Sequence, residues 1–339
     1  MKKEDLVKVL KGYKFRIYPN EKQIQYFIQT FGCVRFTYNH LLHARQKALQ
    51  AGDYQTQVSP ASLKRDYPFL KKTDSLALAN AQRNLDRAFK NYFSKRAGYP
   101  KLKTKKNNWQ SYTTNNQKHT IYFVGNQLKL PKLKSLVTVN LHRKVAGEIK
   151  SATVSAQNNQ MFFVSLLCLE EINPLPKTGT TIGVAYCPEN LVQMSAVNRL
   201  PVYKQETLQY QLDKAIKRLE VRAKAAKRRK VLLEQAKNYQ KQKSKVQKLY
   251  MAKNDQKKNY IDQLTCRLVH DYDCICLEKQ PEFTENTKFS ETDWQHFLRK
   301  IQYKARWYDK QLVFVDSIEK ENETKCFTIE QVGKKLINQ

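Results

Sequence analysis

No two of the seven cysteines, at positions 33, 168, 187, 266, 274, 276 and 326, stand in a C-x-x-C spacing. An odd set of scattered thiols argues against a disulfide framework and against a tetrahedral zinc site. Cys274 and Cys276 alternate with Ile275 and Leu277 in DCICLE, the pattern of buried strand residues. There is also no run of about 18 apolar residues, the length a membrane-spanning helix needs. The opening MKKEDLVKVLKGYKF has no long apolar core of a signal peptide. These absences lead to the expectation of a cytoplasmic, nucleoid-associated protein with no membrane partner. Acid is the third shortage. With 30 Asp and Glu against 62 Lys and Arg, the formal net charge is +32, and a field of that sign and size favours a polyanion, nucleic acid first. Against these shortages stand 339 residues, 41% of them hydrophobic, enough for two or three domains with real cores.

Residues 13–19, YKFRIYP, alternate aromatic or aliphatic with basic side chains and end at a proline, which predicts a half-buried strand with a cationic outer face. Asn20 can cap a helix in which Ile24, Phe27, Ile28 and Phe31 recur at helical spacing and which continues to about Gln50. A polar loop follows, then SLALANAQRNLDRAFKNYF. That helix carries Leu76, Ala79, Leu85, Ala88, Phe89 and Tyr92 on an apolar stripe, with Arg83 and Arg87 off it. SKRAGYPKLKTKKNNWQSYTTNNQ reads as irregular. Between His119 and Ile172 the period falls to two, predicting antiparallel sheet. NPLPKTGT reads as a linker. Beyond it TIGVAYC, LVQMSAV, YDCICLEK and KQLVFVDS read as strands of one sheet, the first two a hairpin closed by PEN. The last two are separated by a helical DWQHFLRKIQYKARWYD. Tyr203 to Tyr260 is a helical region with 18 Lys and Arg against 5 Asp and Glu and a thin seam of Leu208, Leu212, Ile216, Leu219, Leu232, Val246 and Leu249. A solvated hairpin would explain it, but AKAAKRRK, with Lys227, Arg228 and Arg229 and no acid, points to phosphate contact. The tail after Ser317 is expected to be mobile.

Six stretches carry a resemblance: YKFRIYP; FGCVRFTYNHLL; SLALANAQRNLDRAFKNYF with GYPKLKTKK; TIGVAYCPENLVQMS; YDCICLEK; and WQHFLRKIQYKARWYDKQLVFVD. In this order, over residues 13 to about 316, the chain resembles the TnpB family, transposon-encoded RNA-guided nucleases similar to type V CRISPR effectors. The resemblance implies an α+β multidomain protein. A strand-rich wedge β-barrel (1–19 and 115–172) is split by a helical recognition domain (20–114). A linker (173–180) leads to a RuvC-like domain of RNase H fold (181–339), with the basic hairpin 203–260 and without the zinc ribbon. In the active family three carboxylates hold two divalent metals. Ala185 stands at the first position and Glu278 at the second. Past KQLVFVD, where paired C-x-x-C motifs and D-R-D would follow, the chain reads SIEKENETKCFTIEQVGKKLINQ, with Cys326 alone resembling the ribbon. Glu189 falls at the hairpin tip, on the order of ten ångströms from Ala185 at strand spacing, and Asp273 reads as a cap or turn residue. The expectation is a catalytically dead protein with no zinc, no catalytic magnesium pair and no cofactor needed for binding.

The function this implies is that of the nuclease-dead TnpB-like repressors. One protein would bind one guide RNA, omega-RNA-like, and occupy a double-stranded DNA target with a short adjacent motif, blocking transcription from a promoter. For the nucleic-acid backbone the candidates are Lys14, Arg16, Tyr18, Arg35, Tyr38, Asn39, Arg83, Arg87, Lys101, Lys103, Lys105, Lys106, Lys227, Arg228 and Arg229. For reading the adjacent motif they are Tyr54, Ser59, Ser75, Asn80, Thr113, Thr114 and Asn115. Core packing is the competing role for Tyr38. Two other functions stay open: a metal-dependent RNA-guided endonuclease with a rebuilt site, and a transposon relic or RNA-binding chaperone without DNA targeting. The intact alternation of TIGVAY, DCICLE and QLVFVD favours a protein that still folds.

Overall fold

The computed structural model describes residues 6–52, 58–158, 160–196, 201, 203–284, 287–316 and 322–337. Tyr54 lies outside them. The chain forms two compact units, residues 8–172 and residues 173–339, the latter with the first seven residues.

The first unit contains β1 (Val7–Tyr18), α1 (Glu21–Gln50), α2 (Pro60–Asp66), α3 (Ser75–Phe93), β2 (Trp109–Asn115), β3 (Tyr122–Val124), β4 (Gln127–Lys129), β5 (Val137–Asn140), β6 (Glu148–Gln157) and β7 (Met161–Ile172). Its strands lie in the order β2-β6-β7-β1-β5-β4-β3, an antiparallel sheet curled into a half-barrel. The alternation of β1 sets its two faces: Tyr13, Phe15 and Ile17 are buried, while Lys14 and Tyr18 are exposed and Arg16 is half-buried. α1 begins where a capping box fixes it. The Asn20 side chain accepts from the Gln23 amide at 3.0 Å, and the Gln23 side chain accepts from the Asn20 amide at 2.9 Å. Phe27, Phe31, Val34, Leu41 and Leu42 of α1 then close over the sheet together with α3. The buried stripe of α3 runs through Ala77, Leu78, Ala81, Leu85 and Phe89, rotated from the expected one, with Tyr92 38% exposed. Small alanines allow α3 to approach both α1 and β2, and that contact sets its rotation.

Residues 109–115, expected to be irregular, form β2. The strand pairs with β6 over seven residues, from Trp109 opposite Gln157 to Asn115 opposite Ser151. WQSYTTN turns only Tyr112 and Thr114 into the core, so the local pattern is too polar to reveal a strand. A partner some forty residues away in sequence makes it one.

The second unit contains β8 (Thr181–Cys187), β9 (Leu191–Met194), α4 (Glu206–Arg228), α5 (Lys237–Asp271), β10 (Cys274–Glu278), α6 (Glu291–Trp307), β11 (Gln311–Val315) and α7 (Asn322–Ile337). Its sheet has the order β11-β10-β8-β9, with β10 parallel to β8 and β11 and β9 antiparallel to β8. Parallel strands buried on both faces read as continuous apolar runs, as CICLE does. Ile182, Val184, Ile275 and Leu277 pack on one face against Ile261, Leu264, Trp294 and Phe297 of α5 and α6. Ala185, Cys274 and Cys276 pack on the other against Cys326 and Ile329 of α7. Within the tail expected to be mobile, residues 322–337 form a helix. Two glycines let it approach: a Cβ on Gly183 would collide with the Cys326 carbonyl oxygen, and one on Gly333 with Cys276 Sγ. α4 and α5 form the basic hairpin, sealed by Leu212, Ala215 and Val246 with Ile216, Leu219 and Leu249.

Candidate nucleic-acid interface

The two positions expected to carry carboxylates come together at the ends of neighbouring strands. Leu277 of β10 stands opposite Val184 of β8, so alternation places Ala185 and Glu278 on the same sheet face, the one α7 covers. Ala185 is 1% exposed and Glu278 fully buried. Lys325 of α7 puts its Nζ 2.6 Å from Glu278 Oε1, and the Tyr186 amide donates to Oε2 at 3.1 Å. These residues do not fit a pair of divalent ions. One presents a methyl group, and the other holds an ammonium where a cation would sit. Among the described residues no group of three or more His, Cys, Asp or Glu side chains is placed to hold a metal ion. Asp273 has a structural task. Its Oδ2 accepts from the amides of Thr178 and Gly179 at 2.7 and 2.6 Å, and Lys310 contacts Oδ1 at 2.5 Å.

The basic candidates of the first unit fall into three groups. Lys14, Arg16 and Tyr18 lie on the outward face of β1. Arg35 projects from α1 and donates to Gln110 Oε1 at 3.0 Å. It lines a cleft of about 280 Å³ with Lys105, Lys106, Asn107 and Asn158, and an adjoining one of about 340 Å³ with Lys103, Thr104 and Trp109. Lys101, Lys105 and Lys106 are exposed on the same loop. Tyr38 and Asn39 hold that loop down. Lys103 Nζ sits 4.2 Å from the Tyr38 ring centroid, while the Asn39 side chain donates to the Lys103 carbonyl at 3.0 Å and accepts from its amide at 2.9 Å. Burial pushes the Tyr38 hydroxyl above its ordinary pKa. Arg83 and Arg87 are exposed on α3.

In the second unit Lys227, Arg228 and Arg229 are exposed at the C-terminal end of α4, where cations also complement the helix dipole. Arg229 Nε donates to the Ala225 carbonyl at 3.3 Å.

Of the motif-reading candidates, the structure joins three in one network. The Asn80 amide group donates to the Thr113 carbonyl at 2.9 Å and to Asn115 Oδ1 at 2.8 Å, and Thr113 pairs with Thr153 through their hydroxyls at 2.8 Å. Thr114 points the other way and is 1% exposed, its hydroxyl on Asp74. Ser59 caps α2, and Ser75 accepts from Lys64. Sequence reasoning missed Trp109, Phe163 and Lys325. An aromatic ring at an outward strand position was the available signal for Phe163, whereas Trp109 lies in a stretch too polar to reveal its strand. Nothing local marks Lys325.

Residues 9–53, which form β1 and α1, match the family HTH_OrfB_IS605, described as "Helix-turn-helix domain". The matched segment here is a strand followed by one long helix. Over 91% of its length the chain is 28% identical to a Streptomyces pristinaespiralis protein named "Putative RNA-guided DNA endonuclease", of which it covers 78%. It is 24% identical, again over 91%, to InsQ of Escherichia coli K12, which bears the same description and of which 81% is covered. Virulence protein VsdF of Salmonella dublin is 34% identical over 29% of this chain and 89% of its own length. The class is that of proteins encoded by IS605-type transposons. These matches support the TnpB family, also called IS605 OrfB, for this chain. The expectation of a non-enzyme is corrected here. Both relatives that span nine-tenths of the chain carry endonuclease names, which points to an enzyme. That expectation rested on Ala185 at the first carboxylate position and on the absence of the third aspartate and the zinc ribbon, and a carboxylate supplied from elsewhere in a fold leaves no trace at those positions.

Proposed function

We propose that this protein binds a guide RNA and, through it, a double-stranded DNA target with a short adjacent motif, and that occupancy of a promoter target blocks transcription. The observation that carries this is the match over 91% of the chain to proteins named RNA-guided DNA endonucleases. The charge of +32 supports it, since a protein that holds a heteroduplex through its backbone needs cations and no particular base contacts. On this proposal residues 8–172 act as wedge and recognition regions, with Asn80, Thr113 and Asn115 facing the adjacent motif. Residues 181–339 act as a RuvC-like domain. One guide RNA, omega-RNA-like, serves one protein, and binding requires neither zinc nor a magnesium pair.

The test is to purify the protein expressed with its native flanking DNA and sequence the RNA that comes with it. One discrete structured RNA is expected. The complex should then bind guide-matched duplex with steep salt dependence, and a reporter with that target in its promoter should fall in expression. Recovery of no discrete RNA rejects the proposal. Metal analysis of the same complex should find zinc well below one atom per chain. A second function, cleavage of the guided target, is favoured by the relatives' names and is read in the same tubes. Guide-matched DNA nicked only when magnesium is added would establish it, with carboxylates other than Glu278 in play.

A further inference from the structure

Four neighbouring strands of the first unit present one outward face, and its composition is unusual. β2, β6, β7 and β1 lie side by side, and register places Ser111 opposite Ser155 and Ser155 opposite Phe163. Alternation therefore gathers Trp109, Ser111 and Thr113, then Thr153 and Ser155, then Phe163 and Ser165, then Lys14, Arg16 and Tyr18 on the side away from the core. The Trp109 and Phe163 rings come together across the intervening strand, nearly parallel, with centroids 5.9 Å apart and planes 23° apart. Trp109 is 40% exposed and Tyr18 56%. Lys14 Nζ lies 5.2 Å from the Trp109 centroid and 4.6 Å from that of Phe163, and the Arg16 guanidinium lies 4.9 Å from Phe163 and 5.9 Å from Tyr18. The stretches 12–18, 109–115, 151–157 and 161–167 contain no Asp or Glu.

We infer that this face is a stacking platform for unpaired nucleotides of RNA. Small Ser and Thr side chains border the rings, and Trp109, 40% exposed and stacked on Phe163, offers its indole to a base. The two cations beside the rings are placed to meet the phosphates. Base stacking of this kind tolerates any sequence, and it needs bases that are not already stacked in a duplex. The occupant is therefore a single-stranded segment of the RNA the protein carries, and the inference rests on the proposed guide-RNA function. It adds to that function where the RNA is held and in what form.

The experiment uses the full chain freed of cellular RNA, a fluorescein-labelled 12-nucleotide oligo(U) RNA, the same length of oligo(dT), and an RNA hairpin of equal charge. Trp109→Ala and Phe163→Ala should each weaken oligo(U) binding about 5- to 100-fold, the range alanine substitution of a stacking ring produces. Both should leave the slope of log affinity against log salt unchanged. Trp109→Phe should restore most of the loss, and affinity for the hairpin should move less than twofold. Lys14→Gln should reduce the salt slope by about one phosphate contact. Photocrosslinking of 5-iodouridine RNA, read by mass spectrometry, should label peptides containing Trp109 or Phe163. Thermal melts separate unfolded variants from weakened ones, and Phe163→Leu keeps apolar volume if Phe163→Ala does not fold. Ring variants that bind oligo(U) within twofold of the parent, or crosslinks that map elsewhere, overturn the platform. Tighter binding of oligo(dT) than oligo(U) overturns the commitment to RNA. A protein that copurifies with a discrete RNA yet fails these tests loses the platform alone, whereas one that copurifies with none loses the guide-RNA function.

Discussion

The Glu278 carboxylate is shut off from solvent, and Lys325, whose side chain is 13% exposed, provides the opposite charge. Removing one member of a buried pair strands the other, which costs about 3–5 kcal/mol, whereas removing both is often neutral. Lys325→Ala should therefore lose about that much in urea unfolding followed within residues 173–339. Glu278→Leu combined with Lys325→Met should recover most of it. A double variant as unstable as the single one would show that the ion pair is not what holds α7 to β10. Asp273 gives a pH-dependent counterpart. The Lys310 hydrogen bond, joined by those from the Gly179 and Thr178 amides, outweighs burial and holds its carboxyl below the ordinary aspartate range. A group with a depressed folded pKa contributes stability that is present above its unfolded value, about 3.9, and is lost as pH falls through the folded one. Asp273→Asn should accordingly flatten the acid limb of stability below about pH 4. Equal slopes in parent and variant would reject that assignment. Single positions were unevenly legible. Ala185, Glu278 and the turn role of Asp273 could be read from strand motifs, because each belongs to a local alternation. Lys325 could not, because its partner is 47 residues away and its own helix looked like a loose end.

α7 is held by geometry as much as by charge. Where Gly183 faces the Cys326 carbonyl and Gly333 faces Cys276 Sγ, neither neighbour can give way without moving the helix or the strand. The Gly183 amide also donates to Ser195 Oγ at 2.9 Å, tying β8 to the end of the β8–β9 hairpin. Gly183→Ala should cost about 1–3 kcal/mol by overpacking and should speed amide exchange across residues 322–337 while leaving α5 and α6 protected. Unchanged protection in α7 would mean that the helix does not depend on this approach. α1 could be placed to within a residue because Asn20 and Gln23 form a cap inside four residues. The β8–β9 hairpin and α6 could be placed because their signals are equally local. β2 and α7 were missed for one shared reason: a polar strand and a short C-terminal helix become stable only against surfaces contributed by distant segments, and no window of sequence contains those surfaces.

The hydrophobic contacts divide the chain more sharply than any motif does. Among the described residues one core is built from residues between Tyr13 and Cys168, and the remaining cores from residues between Ile182 and Ile337. With each unit built on cores of its own, a single two-state transition is not expected. Calorimetry of the RNA-free chain should give two transitions, and a fragment of residues 8–172 should reproduce one of them. If the outward face of β2, β6, β7 and β1 takes unpaired RNA, oligo(U) at a hundred times its dissociation constant should stabilise that unit by about 2.7 kcal/mol. The other transition should stay in place to the extent that the α4–α5 hairpin binds oligo(U) weakly. Both shifts falling together under Trp109→Ala would mean the rings serve the fold and not the ligand. A shift of the first transition alone, lost on Trp109→Ala and regained on Trp109→Phe, would tie the RNA to the sheet face through its aromatic surface, since neither substitution changes the charge that draws the RNA in.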